Sequence, residues 1–154
     1  MTAARDGNTR GLTRPPPTSR LELEVPARTR SVGEARHAVT AFLVGNGVPR
    51  VVVDDVELMA SELVTNAVLH PVPSGHPVRV RVSIGEDVRL EVAHHGATTD
   101  LPAVGDWRTA PPTALSGRGL GIVRRLADDV GVHQDGPWAV VDCGRRLNDH
   151  GGNT

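Results

Sequence analysis

Apolar and polar positions follow one another along this chain in patterns that predict most of its elements. "LELEV" (21–25) alternates apolar and acidic residues, as a half-buried strand does, and Pro26 ends it. From about Thr29 to Val44, Val32, Ala35, Val39, Phe42 and Leu43 recur at helical spacing, and "GNG" (45–47) stops the run. A second helix is expected from near Asp54, with Asp54 and Glu57 spaced as a capping box, to His70, where Pro71 blocks continuation. "VRVRVSI" (78–84) places Val78, Val80, Val82 and Ile84 on one side of a strand and Arg79, Arg81 and Ser83 on the other. "GED" (85–87) turns the chain and "VRLEVA" (88–93) returns beside it.

Residues 94–116 show no period, and a stretch that long inside a compact domain is usually functional or mobile. "GRGLG" (117–121) leads into a third helix with Ile122, Val123, Leu126, Ala127 and Val130 as its apolar stripe and Gly131 at its C-terminal cap. "GVHQ" and "WAVVDCG", joined by Asp135-Gly136-Pro137, make a closing hairpin. The order predicts an α/β two-layer sandwich: a mixed, mostly antiparallel sheet covered on one face by about three helices. One domain is expected over 21–146, between a Pro- and Arg-rich disordered tail (1–20) and a frayed C-terminal tail (147–154).

Composition narrows the picture. A chain of 154 residues can bury a core without staples. Its aromatic residues are only Phe42, Trp107 and Trp138, so the core must be aliphatic. A formal net charge of -1 is not the footprint of a nucleic-acid binder. The single cysteine, Cys143, excludes an internal disulfide and a cysteine-based zinc cluster, and it reads as a small apolar residue on a buried strand. No stretch has the length of a membrane span or the apolar core of a signal peptide, so a cytoplasmic location is expected.

Two features carry candidate chemistry. In "SELVTNAVLH" (61–70), Glu62 and Asn66 stand four positions apart, about 40° apart around a helix, with His70 continuing the row. Asn66 offers an uncharged oxygen suited to Mg²⁺, and Glu62 can accept a proton from a hydroxyl or water. The plain alternative is a partly solvated helix face. In "SGRGLG", Gly117, Gly119 and Gly121 before a helix let backbone N–H groups approach an anion, with Arg118 able to add a charge-assisted contact. The plain alternative is a turn into a helix. His94 and His95 should point opposite ways at a strand end, which argues against a metal pair. The histidines at 37, 70, 76, 133 and 150 read as surface residues.

"ELVTNAVLH", then "HHG...LP", then "GRGLGIVRRLADDVG" together resemble the GHKL (Bergerat-fold) ATPase superfamily, above all its branch of anti-sigma-factor serine/threonine kinases, small bacterial regulators. The resemblance spans roughly Leu21 to Arg146. It implies ATP and Mg²⁺ as cofactors and a sigma factor and an antagonist (anti-anti-sigma) protein as partners, with no nucleic acid and no membrane; a homodimer is left open. Asn66 matches the metal-holding asparagine and Glu62 the base toward the substrate serine. Gly117, Arg118, Gly119, Leu120 and Gly121 match the second glycine box, Gly96 the glycine of the first, with Pro102 after it, and 103–116 the ATP lid, which contains Trp107. Partner contact would use the region 28–47.

Two positions depart from that pattern. His94 stands where the family's Asp accepts the adenine amino group. An imidazole offers at most one acceptor nitrogen, which should weaken adenine binding by about 1.5–3 kcal/mol. Leu115 stands where some relatives carry an arginine for the terminal phosphate, and Arg118 or Arg108 could substitute for it. Two functions therefore remain: an ATP-dependent protein kinase, or a non-catalytic partner-binding regulator on the same fold.

Overall fold

The computed structural model describes residues 19–69, 75–101, 104–106 and 118–148. In chain order these form β1 (Ser19–Val25), α1 (Arg30–Gly45), α2 (Arg50–Leu69), β2 (Val78–Ile84), β3 (Asp87–His95), α3 (Arg118–Leu126), β4 (Asp129–Asp135) and β5 (Trp138–Arg146). Short 3-10 turns lie at Thr98–Asp100 and Val104–Asp106. The strands make one five-stranded sheet in the order β1-β2-β3-β5-β4. The two-layer sandwich is as expected, but every neighbouring pair is antiparallel, so the sheet is not mixed.

Strand alternation decides which face the helices cover. One row runs across all five strands through Leu21, Val82, Leu90, Cys143 and Val130. Val82, Leu90 and Cys143 in that row are buried. α2 lies centrally against β3 and β5, flanked by α1 and α3. It buries Val52, Val53, Val56, Met59, Ala60, Leu63, Val64, Ala67 and Val68. Each Val, Leu or Met among them contributes about 1.5–3 kcal/mol when fully buried. Burial pushes the Cys143 thiol up to about 12, in keeping with its reading as a small apolar residue.

Several predicted boundaries move. α2 begins at Arg50, a turn before Asp54, because the Pro49 carbonyl accepts the Val52 and Val53 N–H groups, both at 3.0 Å. Asp54 therefore caps nothing; it lies inside the helix, 3.1 Å from Arg50. Burial of Val52 and Val53 outweighs the weak helix preference of their β-branched side chains. α3 stops at Leu126, so Gly131 is not its cap, and Val130 belongs to β4. Pairing with β5 captures the chain early: the Asp128 N–H donates to the Gly144 carbonyl at 2.8 Å, and the Arg146 N–H to Asp128 Oδ2 at 2.6 Å. β1 starts at Ser19, inside the expected tail, and β3 runs on through His94 and His95. The rest of the N-terminal tail, His70 and Pro71, Pro102, Gly117, most of the expected lid with Trp107, Arg108 and Leu115, and the C-terminal residues from 149 on lie outside the described residues.

A buried ion pair fixes α2 on the sheet. Arg145, 8 % exposed, reaches from β5 to Asp55 Oδ2 at 2.9 Å.

Candidate functional site

Glu62 and Asn66 both lie on α2, half-buried, beside the buried Leu63 and Ala67. They sit on the rim of the apolar stripe, a position that a partly solvated helix face would also give them. Across from them α3 begins. A Cβ added to Gly119 would lie 2.6 Å from Glu62 Oε1, so the Glu62 carboxylate rests against the first turn of α3. Leu120 and Val123 of α3 are buried in the core, and Gly121 is buried too. The N–H groups of that first turn have no intrahelical carbonyl to meet and carry the positive end of the helix.

The other candidate residues lie at the end of β3. His94 pairs with Ala139, and Ala139 with Gln134, so His94 and Gln134 share the helix-covered face. His95 pairs with Trp138 on the opposite face, which separates the two histidines as expected. Gly96 follows directly and is held firmly. Its N–H donates to the Pro137 carbonyl at 3.0 Å, and its carbonyl accepts from Gln134 Nε2 at 2.9 Å. Gln134 Oε1 accepts the Thr98 N–H at 3.1 Å, so one amide clamps both sides of the turn. Arg124 of α3 donates to the Gly105 carbonyl at 3.1 Å and ties the described part of the expected lid to α3.

The sequence reading missed Gln134, Pro137 and Arg124. A glutamine near a hairpin tip and an arginine on the polar side of a helix have no spacing that distinguishes them from solvated residues. Gly117 and the Arg118 side chain are outside the description, so Gly119, Leu120 and Gly121 alone represent the glycine segment here.

Among the described residues no three His, Cys, Asp or Glu side chains converge on a metal position. Asn66 offers one neutral oxygen, which suits a cation that arrives with its own anionic oxygens, as Mg²⁺ does with phosphates. A cleft of about 310 Å³ opens elsewhere, lined by Arg20, Glu22, Arg81, Arg89 and Glu91. It lies on the sheet face opposite Glu62 and Asn66 and takes no part in this site.

Comparison with known proteins bears on the family and the fold. Residues 25–143 match the family model described as a histidine kinase-like ATPase domain. The chain belongs to that family. It is 25% identical over 123 residues to the serine-protein kinase RsbW of Oceanobacillus iheyensis, covering 73% of this chain and 78% of the relative. Among solved structures it is similar to the RsbU and RsbW domains of Rv1364c from Mycobacterium tuberculosis, with a TM-score of 0.63 at 16% identity. That match covers 84% of this chain and 32% of the larger one, so this chain spans about a third of it. The SiaB-SiaC complex from Pseudomonas aeruginosa gives a TM-score of 0.57 at 15% identity, over 80% of this chain and 88% of that one. Both structural likenesses concern the fold. No helix of the described residues is long and apolar enough to cross a membrane.

Proposed function

We propose that this chain is an ATP- and Mg²⁺-dependent regulator of the anti-sigma-factor kinase type, acting in the cytoplasm. It phosphorylates a serine of an antagonist protein and binds a sigma factor. The observation that carries this reading is the Glu62 carboxylate against the first turn of α3, with Asn66 one turn further along α2. The likeness to a serine-protein kinase supports it.

Bound MgATP supplies the transferable phosphoryl group and a metal that neutralises its charge. Asn66 holds the metal through its amide oxygen. The N–H groups of the Gly119–Gly121 turn receive phosphate oxygens, and the His94–Gly96 strand end borders the base. Glu62 takes the proton of the serine hydroxyl as that oxygen bonds to the γ-phosphorus. The bond from the γ-phosphorus to the bridging oxygen breaks, ADP leaves, and Glu62 returns its proton to water.

His94 favours a second reading. With an imidazole in place of a carboxylate, the same fold can act by partner contact alone. Calorimetry with MgATP on the native chain, Asn66→Ala and His94→Asp separates the two. Binding by the native chain that falls about tenfold or more in Asn66→Ala supports the kinase. Binding only after His94→Asp supports the partner-binding regulator. Absence of binding in all three removes both ATP and the kinase.

A further inference from the structure

The glycines of the α3 segment are expected to serve phosphates, but Gly119 has a second reason to lack a side chain. A Cβ on Gly119 would stand 2.6 Å from Oε1, 3.2 Å from Cβ and 3.5 Å from Cδ of Glu62. These three nearest atoms all belong to one side chain. The bare Cα of Gly119 therefore faces α2, and Glu62 fills the space that a residue with a side chain would claim. Favourable contacts between non-bonded heavy atoms lie near 3.5–4.0 Å, so the closest of these approaches is a true overlap. Glu62 Cβ is fixed by the backbone of α2 and can yield only a few tenths of an ångström. Its carboxylate is the free end. A methyl group at 119 would push that carboxylate away and ask at most a few tenths of an ångström of the two helices.

We propose that Gly119 is a positioning residue for Glu62. The first turn of α3 is the seat of the carboxylate, so the segment expected to receive phosphates also fixes where the proposed base stands. The word base here depends on the kinase reading above; the seat depends on packing alone. Any ligand that displaces the start of α3 then moves Glu62 with it.

A double-mutant cycle tests this by thermal unfolding of the native chain, Gly119→Ala, Glu62→Ala and the double variant. Replacing a helical glycine by alanine should raise Tm by about 2–4 °C in the Glu62→Ala background. In the native background the gain should vanish, and the ¹³C signal of the Glu62 carboxyl should move. Glu62→Asp draws the carboxylate back by one methylene and should restore the gain. Equal gains in both backgrounds, or an unmoved carboxyl signal, would overturn the proposal. Calorimetry with MgATP on the native chain keeps the two ideas apart. A coupled cycle without MgATP binding leaves the seat standing and removes the kinase. MgATP binding with an additive cycle does the reverse.

Discussion

The five strands present two unlike faces, and the contrast shows where this molecule can be changed. On the helix-covered face Val80, Val82, Val88 and Leu90 are at most 1 % exposed. On the bare face the same strands carry Arg81, Arg89, Glu91 and Asp142, joined by ion pairs. Arg89 lies at the middle of that network, 2.7 Å from Asp129 Oδ2 and 2.8 Å from Asp142 Oδ1. Gly144 leaves the floor flat enough for it, since a Cβ there would overlap the Arg89 guanidinium and stand 2.6 Å from Asp129 Oδ1. The covered face holds the fold together by burial, which has no direction. The bare face holds register through charges that water screens. The candidate site lies on the rim of the covered side, where polar groups need apolar neighbours to fix them.

The sharpest contrast should come from adjacent residues of β3. Leu90→Ala removes a side chain 1 % exposed at the centre of the cross-sheet row and should cost about 2–5 kcal/mol. Chemical denaturation with the slope unchanged would show it. Glu91→Ala, one residue along and on the bare face, should cost less than about 1 kcal/mol. A loss at Glu91 equal to that at Leu90 would break the comparison.

Asp55→Ala should come next. It takes the Asp55 carboxylate from Arg145, whose side chain is 9 % exposed beneath α2. Removing one partner of a buried pair can cost about 3–5 kcal/mol, and the partial exposure of Asp55 lowers that to about 2. Asp55→Asn, which keeps an acceptor but no charge, should recover part of it. Arg89→Ala sharpens the bare face alone. It removes the cation that Asp87, Asp129 and Asp142 share, and Asp129 is 57% exposed, so about 1 kcal/mol is expected. That loss should shrink in high salt, whereas the Leu90→Ala loss should not.

The two faces also differ in how far the sequence disclosed them. Strict alternation in "VRVRVSI" and "VRLEVA" fixed which side of β2 and β3 the helices cover, because a one-residue slip would turn the arginines into the aliphatic core under the helices. Boundaries were less legible where long-range pairing competes with local preference. Pairing with β5 takes the chain at Asp128 and turns Val130 and Gly131 from a helix end into a strand. That Glu62 and Asn66 share one side of α2 followed from their four-residue spacing. The contact of Glu62 with Gly119 did not, because no local pattern tells how α3 sits on α2. The Gln134 clamp on Gly96 was hidden for the same reason: its partners are 36 and 38 residues away.

The smallest effect expected belongs to the end of the bare face. His76 stacks on His95 with ring centroids 3.7 Å apart, and His95 meets Trp138 edge-on at 4.4 Å. The Arg79 guanidinium lies 4.5 Å from the centre of the Trp138 ring. Desolvation first, and then the neighbouring His76, hold His95 below its ordinary value of 6.5, against the pull of Glu24. The native chain therefore keeps His95 neutral at a pH where the unfolded chain already protonates it. This contribution is complete above pH 6.5 and is lost as pH falls from there through the lower native value. Tm should thus drop slightly between about pH 7.5 and about pH 5.5, where histidines titrate. His76→Ala removes a repelling neighbour and should make that drop smaller. The other histidines are common to both chains, so the difference between the two drops reports the stack. An identical drop would mean that burial alone sets His95 and that the stack is only a contact.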